Sequence, residues 1–244
     1  MAQATSRVVK LKDIFCGLER DSKRIRPRDL HHEKPGRPLP LTGEGKSFYA
    51  FNIEAVSKEV DKFFDQPLPE HLDKISPVLL NSLDEPPDAS EADSDFFGYL
   101  EDAIAIPPDE ESFVGDFVVV VLKLMGYASG RRRIIHQRRE ISFEMCGQKV
   151  DAKMDVCVME RGALKYLLLV QEDKRHLYKV DPEPLNQLIA EAIAAFYQNN
   201  ILRERAGLAR VSDAVIPGIN MLGSAPTFYK IPVSEALVKA IITG

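Results

Sequence analysis

Residues 150–174 constrain the fold most. The run Val150-Asp151-Ala152-Lys153-Met154-Asp155-Val156-Cys157-Val158 is followed, after Arg161-Gly162, by Lys165-Tyr166-Leu167-Leu168-Leu169-Val170-Gln171 and then by Glu172-Asp173-Lys174. Side chains on a strand alternate, so Asp151, Lys153 and Asp155 are expected on one face and Val150, Ala152, Met154, Val156 and Val158 on the other. The second run is apolar at every position from Tyr166 to Val170, which suits a central strand buried on both faces. It stops abruptly at four polar residues, a strand end that buries poorly unless its charges have a purpose. If the two strands pair around Arg161-Gly162, Asp155 and Glu172 lie side by side at the strand ends, with Lys174 next to them.

The elements on either side extend this picture. Phe113, Phe117, Val120, Val121, Leu124 and Met125 share one helical face, with Ser112 as N-cap, Asp109, Glu110 and Glu111 around its first turn, and Gly126 at its close. Residues 133–136 and 141–146 read as two strand segments, and Gly147-Gln148 as a tight turn into residues 149–159, making a hairpin. A long amphipathic helix over 182–205 follows, through Leu185, Leu188, Ile189, Ala192, Ile193, Phe196 and Tyr197, with Pro184 tolerated in its first turn. Residues 214–222 and 227–232 offer further strands and 234–242 a closing helix. The order is therefore helix, three strands, helix, strand.

The first hundred residues are organised differently. Residues 1–46 mix eleven Lys or Arg and six Asp or Glu with Pro27, Pro35, Pro38 and Pro40, a composition with little to bury that predicts a flexible basic arm. Its run Lys23-Arg24-Ile25-Arg26-Pro27-Arg28 has the look of a nuclear address or a nucleic-acid arm, though such clusters are commonly just solvated. Residues 47–109 form an acidic helical extension with a loop: a short amphipathic helix over 50–65, from Phe51, Ala55, Val56, Val60, Phe63 and Phe64, an acidic mobile loop over 84–95, and a second short helix over 96–104. The core then occupies 110–244.

Charge and composition bound the function. The net charge of −5 comes from residues 61–111, where fifteen acids meet only Lys62 and Lys74. The remainder is mildly basic and includes Arg131-Arg132-Arg133 and Arg138-Arg139, which suit a site near phosphates. The acidic extension in turn suits a protein partner. No apolar run reaches the roughly 18 residues of a membrane span, and the first 24 residues lack a signal-peptide core. Cys16, Cys146 and Cys157 form no CxxC, which fits a reducing compartment. The expectation is an intracellular protein, cytoplasmic or nuclear, with no membrane partner.

Two carboxylates brought to one point repel unless something neutralises them, and a magnesium or manganese ion with oxygen ligands is the usual solution. Lys174 would then support water attack or the charge that builds on a phosphate. Asp155, sixteen residues, and Glu172-Asp173-Lys174, set on two strands behind a helix, resemble the site of PD-(D/E)XK nucleases. The words Asp155-Val156-Cys157, Gln171-Glu172-Asp173-Lys174 and Gln187-Leu188-Ile189-Ala190-Glu191 are also similar to uncharacterised fungal members of that superfamily. The resemblance covers roughly residues 110–232.

The resemblance implies an α/β (α+β) fold with a restriction-endonuclease-like core, a mixed central sheet flanked by helices, carrying an N-terminal helical and irregular extension. It implies Asp155 and Glu172 as ligands of Mg2+ or Mn2+, Lys174 as the motif lysine and Asp173 as the variable position. An acid on the first core helix joins the site in related nucleases, and Asp116 matches it, with Glu111 as a substitute. Gln187 matches a glutamine that recurs in some branches. The proline of the family name is absent, since Lys153 and Met154 precede Asp155, and Asp151 competes as first acid. His176 lies just past the motif, where it could assist proton transfer, though an exposed histidine beside Arg175 is more often incidental. Gln187 and Glu191 read equally well as ordinary first-turn polar residues. The resemblance implies a metal-dependent nuclease acting on DNA or RNA. The alternative is a non-catalytic module of the same fold that binds nucleic acid or protein.

Overall fold

The computed structural model describes residues 23–27, 53–65, 72, 75–105, 113–128, 132–162, 165–172 and 184–243. In chain order these form β1 (Lys23–Pro27), β2 (Ile53–Ser57), α1 (Val60–Phe64), α2 (Pro77–Asn81), α3 (Glu91–Ile104), α4 (Phe113–Leu124), β3 (Arg133–Met145), β4 (Gln148–Glu160), β5 (Lys165–Glu172), α5 (Pro184–Arg205), β6 (Asp213–Leu222), β7 (Ala225–Ser234) and α6 (Glu235–Thr243). The expected order of helix, three strands, helix and strand is observed in α4-β3-β4-β5-α5-β6.

Strands β3 to β7 make a mixed sheet, and β1 and β2 continue it beyond β7, in the order β2-β1-β7-β6-β5-β4-β3. The hairpins β3-β4, β4-β5 and β6-β7 are antiparallel. β5 and β6 run parallel. A parallel neighbour cannot be reached by a tight turn, and α5 supplies the crossover. β4 and β5 are interior strands of that order, β5 buried along most of its length and β4 from Val156 to Met159.

Helices cover both faces. On one side α5 and α6 pack over Ile141, Phe143, Met154, Cys157, Leu169, Ile216 and Ile231. On the other, α2, α3 and α4 pack over Val156, Val158, Leu168, Val170 and Met221. Gly218 lets α5 close onto β6: a Cβ there would stand 3.0 Å from Leu188 Cδ2 and 3.2 Å from Ile231 Cδ1. Polar side chains of α5 then tie it to β5 and to the segment that leads into β6. Asn199 accepts from the Tyr166 amide at 2.8 Å and donates to the Tyr166 carbonyl at 3.1 Å. Asn200 treats Val211 in the same way, at 3.0 Å for both bonds.

Chain ends of elements follow local chemistry. At the end of α4, Gly126 at φ 75 lets its own amide reach the Lys123 carbonyl and the Tyr127 amide reach that of Leu122, both at 2.9 Å, which stops the helix in a Schellman arrangement. The β3-β4 turn is Cys146-Gly147, with φ of 50 and 71, the left-handed pair a two-residue hairpin demands. That turn sits one residue before the expected Gly147-Gln148, and its amides donate to the carbonyls of Ile241 and Ile242 on α6.

The N-terminal expectations change in three places. The residues read as one helix over 50–65 split into strand β2 and the single-turn α1. β2 pairs with β1, a long-range contact that overrides the weak local periodicity. Residues 91–95, expected in a loop, begin α3, because Ser90 caps it by accepting from the Asp93 amide at 3.2 Å while Glu91 and Asp93 occupy its first turn. The five residues Lys23–Pro27 join the sheet beside β7. The rest of the 1–46 arm lies outside the described residues, as does the Ser112 cap. Among the described residues no helix is long and apolar enough to cross a membrane.

Candidate functional site

Asp155 sits where the alternation of β4 breaks. Ala152 and Met154 pack on the α5 side and so do Cys157 and Met159, whereas Val156 and Val158 pack on the α3-α4 side. The expected single apolar face from Val150 to Val158 is therefore corrected: the strand changes parity at Asp155. Strand β3 changes at the same level. Ile134 packs on the α5 side and Ile135 opposite it, yet Ile141, Phe143 and Met145 also face α5. The switch occurs at Arg138, whose φ of 50 is left-handed. Because both strands break together, pairing keeps its register, with Gln137 opposite Val156 and Arg139 opposite Met154. The two expected segments of β3 are thus one strand with a kink.

The kink brings Asp155 to the end of β5. Its Oδ2 accepts the amide proton of Glu172 at 2.9 Å. Asp155 is half-buried and Glu172 is buried, with 8% of its surface exposed. Glu172 carries the parity of Leu168 and Val170 and pairs with Met221, which places it toward the α3-α4 side. The carboxylate of one acid predicted from the sequence thus meets the backbone of the other. Lys174, Asp173, His176 and Glu111 lie outside the described residues. Asp151 is exposed near the hairpin tip and accepts from the Ser142 hydroxyl. Asp116, on α4, accepts from Gln137 Nε2 at 2.8 Å. Gln137 pairs with Val156, so Asp116 is anchored one strand away from Asp155, on the α4 side of the sheet.

The α5 side supplies a residue that the sequence reading undervalued. Glu191 is not a first-turn polar residue but fully buried, at 0% exposure. Burial, first, and the nearby Asp155 carboxylate, second, push its own carboxyl well above the usual range, against a smaller opposing effect of the Gln187 hydrogen bond. Gln187 Nε2 donates both to Glu191 Oε1 at 3.3 Å and to the Lys153 carbonyl at 3.2 Å, tying α5 to β4 two residues before Asp155. Among the described residues, Glu191 Oε2 has no hydrogen-bond partner, and neither has Oε1 of the buried Gln171. Gln171 directly follows Val170, whose partner Val156 is next to Asp155 in β4. The signal for Glu191 was present in the sequence, as one acid within Leu188-Ile189-Ala190-Glu191-Ala192-Ile193.

The donor chemistry suits a hard divalent cation, since carboxylate and amide oxygens are what magnesium and manganese take. Glu191 Oε2 and Gln171 Oε1 are acceptor oxygens of the type such an ion takes. Among the described residues, no three His, Cys, Asp or Glu side chains group closely enough to form a metal cluster by themselves. Compared with protein-family models and with curated proteins, the chain matches none.

Proposed function

We propose that the chain is a metal-dependent nuclease with a restriction-endonuclease-like, PD-(D/E)XK core, hydrolysing phosphodiester bonds of DNA or RNA. The observation that carries this reading is the bond from the Glu172 backbone amide, at the end of β5, to the carboxylate of Asp155, midway along β4, within an order of helix, three strands and helix. A bound Mg2+ or Mn2+ would polarise a phosphate oxygen and acidify a water molecule. Asp155 and Glu172 would hold that ion, and Asp116 would approach from the α4 side. Lys174 would support the attacking water and offset charge on the phosphate. Gln187 fixes the gap between α5 and β4. The setting proposed for this activity is intracellular, cytoplasmic or nuclear.

A second reading is a non-catalytic module of the same fold. It is favoured by α3, whose exposed face carries Glu91, Asp95, Glu101 and Asp102, a surface suited to a basic protein partner rather than to nucleic acid.

Labelled single- and double-stranded DNA and RNA, incubated with the protein and Mg2+ or Mn2+ beside a Lys174→Ala control, test the activity. Cleavage by the wild type and not by the variant is expected. Equal cleavage by both, or none by either, overturns the catalytic reading.

A further inference from the structure

We propose that Arg132, Arg133, Arg161 and Lys165 form a binding site for the phosphodiester backbone of a nucleic acid, at the end of the sheet where β3 begins, β4 ends and β5 begins. This deepens the nuclease reading by placing part of its substrate, on which it rests in that respect. The contact itself needs no metal.

Strand pairing brings the four residues together. Arg133 pairs with Glu160, and Glu160 with Lys165, so these three stand on one rung of β3, β4 and β5. The Arg161 amide donates to the Arg132 carbonyl, which closes the same end of the sheet. All four cations are exposed. Among the described residues none of them has an ion-pair partner, and Glu160 pairs with neither of its neighbours. Arg210 and Lys230 differ: the first pairs with Glu204 and Glu235, the second with Asp65. Four cations around one acid leave a positive surface whose self-repulsion an anion relieves.

The position of this surface favours a nucleic acid over an acidic protein. Side chains alternate along β3, so Arg133 shares the face of Ile135, which packs on the α3-α4 side, and of Gln137, which holds Asp116. Lys165 is on that face too, since its neighbour Tyr166 packs on the α5 side. Glu172 is placed toward the same side. Cations and candidate acids therefore border one surface. Glu160 lies five residues beyond Asp155 on β4, about 17 Å of strand. That is the length of about five nucleotides of a stacked strand. A polyanion with regularly spaced charges fits this run, one part on the cations and another at the acids. The arginines add the planar fork that grips phosphate.

Fluorescence anisotropy of labelled DNA and RNA oligonucleotides, with chelator present so that no metal takes part, tests this. The variants are the pairs Arg132→Gln with Arg133→Gln and Arg161→Gln with Lys165→Gln, beside the control Lys62→Gln. Lys62 is exposed on α1, which packs through Phe64 against Phe228 of β7, four strands from β3. Wild-type affinity is expected to fall steeply with salt. Each pair should lower the slope of log affinity against log salt by about 1.4–1.8, with unfolding midpoints unchanged, and Lys62→Gln should leave the slope as it is. No wild-type binding at about 50 mM salt, an unchanged slope in both pairs, or an equal fall in Lys62→Gln would overturn the inference. Displacement of the oligonucleotide by poly-glutamate at equal charge would also overturn it and assign the surface to an acidic protein. Cleavage assays with Mg2+ separate it from the nuclease reading. Cleavage with a slope that both pairs leave unchanged overturns the phosphate site alone. Binding that the pairs weaken, without cleavage of any substrate, overturns the nuclease reading alone.

Discussion

The carboxylate of Asp155 accepts the amide proton of Glu172 across the β4-β5 pair at 2.9 Å. The bond has a structural and a chemical side, and two substitutions separate them. Asp155→Asn keeps an acceptor and is expected to hold the unfolding midpoint within a few degrees while abolishing metal-dependent cleavage. Asp155→Ala removes the acceptor as well and should cost about 1.5–3 kcal/mol in addition. Denaturant melts and nuclease assays on both proteins check this. Retained cleavage in Asp155→Asn would remove Asp155 from the chemistry.

Glu191 should leave a signature in the pH dependence of stability when metal is chelated. Its folded pKa lies above the unfolded value. The folded state therefore holds the proton more firmly, and this contribution is fully present below the ordinary glutamate pKa of about 4.3 and lost as pH rises from there toward the folded value. Glu191→Gln lacks that loss. It is expected to be more stable than the wild type at neutral pH, by about 1–3 kcal/mol, with the difference shrinking toward pH 4. Urea melts between pH 4 and 8 measure it, and parallel curves for the two proteins would contradict the assignment.

The Asn199 clamp on Tyr166 predicts a sharp stability effect far from the acids. Asn199→Ala strands a buried backbone N–H and C=O together, at a point where the β4-β5 register shifts between Val158 and Met159. The expected loss is about 2–4 kcal/mol. Amide exchange at Tyr166 should accelerate to match, and an unchanged rate would mean that the strand holds itself.

Cysteine reactivity should divide by burial. The Cys157 thiol is pushed up to about 12, chiefly by burial and to a lesser degree by Glu191, with Arg139 opposing. Cys146 is only half-buried, at the β3-β4 turn. Alkylation of the native protein at pH 8, followed by peptide mapping, should therefore modify Cys146 well before Cys157. Equal rates would indicate that the sheet opens on the timescale of the reaction.

The elements of the core were legible where one local signal sufficed. The apolar run of β5, the helical periodicity of α5 and Gly126 at the end of α4 all appear at the expected places. What escaped depends on partners distant in sequence. β2 has helical spacing but takes strand form because β1 lies beside it. The kink at Arg138 and Asp155 has no signature within either strand, since it exists only through their pairing. Glu191 was visible as an acid in an apolar helix, but its depth depends on how closely β6 allows α5 to approach at Gly218. Asp155 and Glu172 were expected side by side at the strand ends; the single short connection between β4 and β5 does bring the Asp155 carboxylate to the Glu172 backbone amide, from a position midway along β4.

The kink also makes the β3-β4 hairpin a matched joint. Deleting Arg138 alone would slip one strand past the other. Deleting Arg138 and Asp155 together would preserve every backbone rung and turn the outer half of the hairpin over, carrying Ile141, Phe143, Met145, Ala152 and Met154 from the α5 side to the opposite one. Insertions and deletions at these two positions are thus expected to occur as pairs in related chains, and the residue of β4 that such a chain cannot discard is an acid of the candidate site.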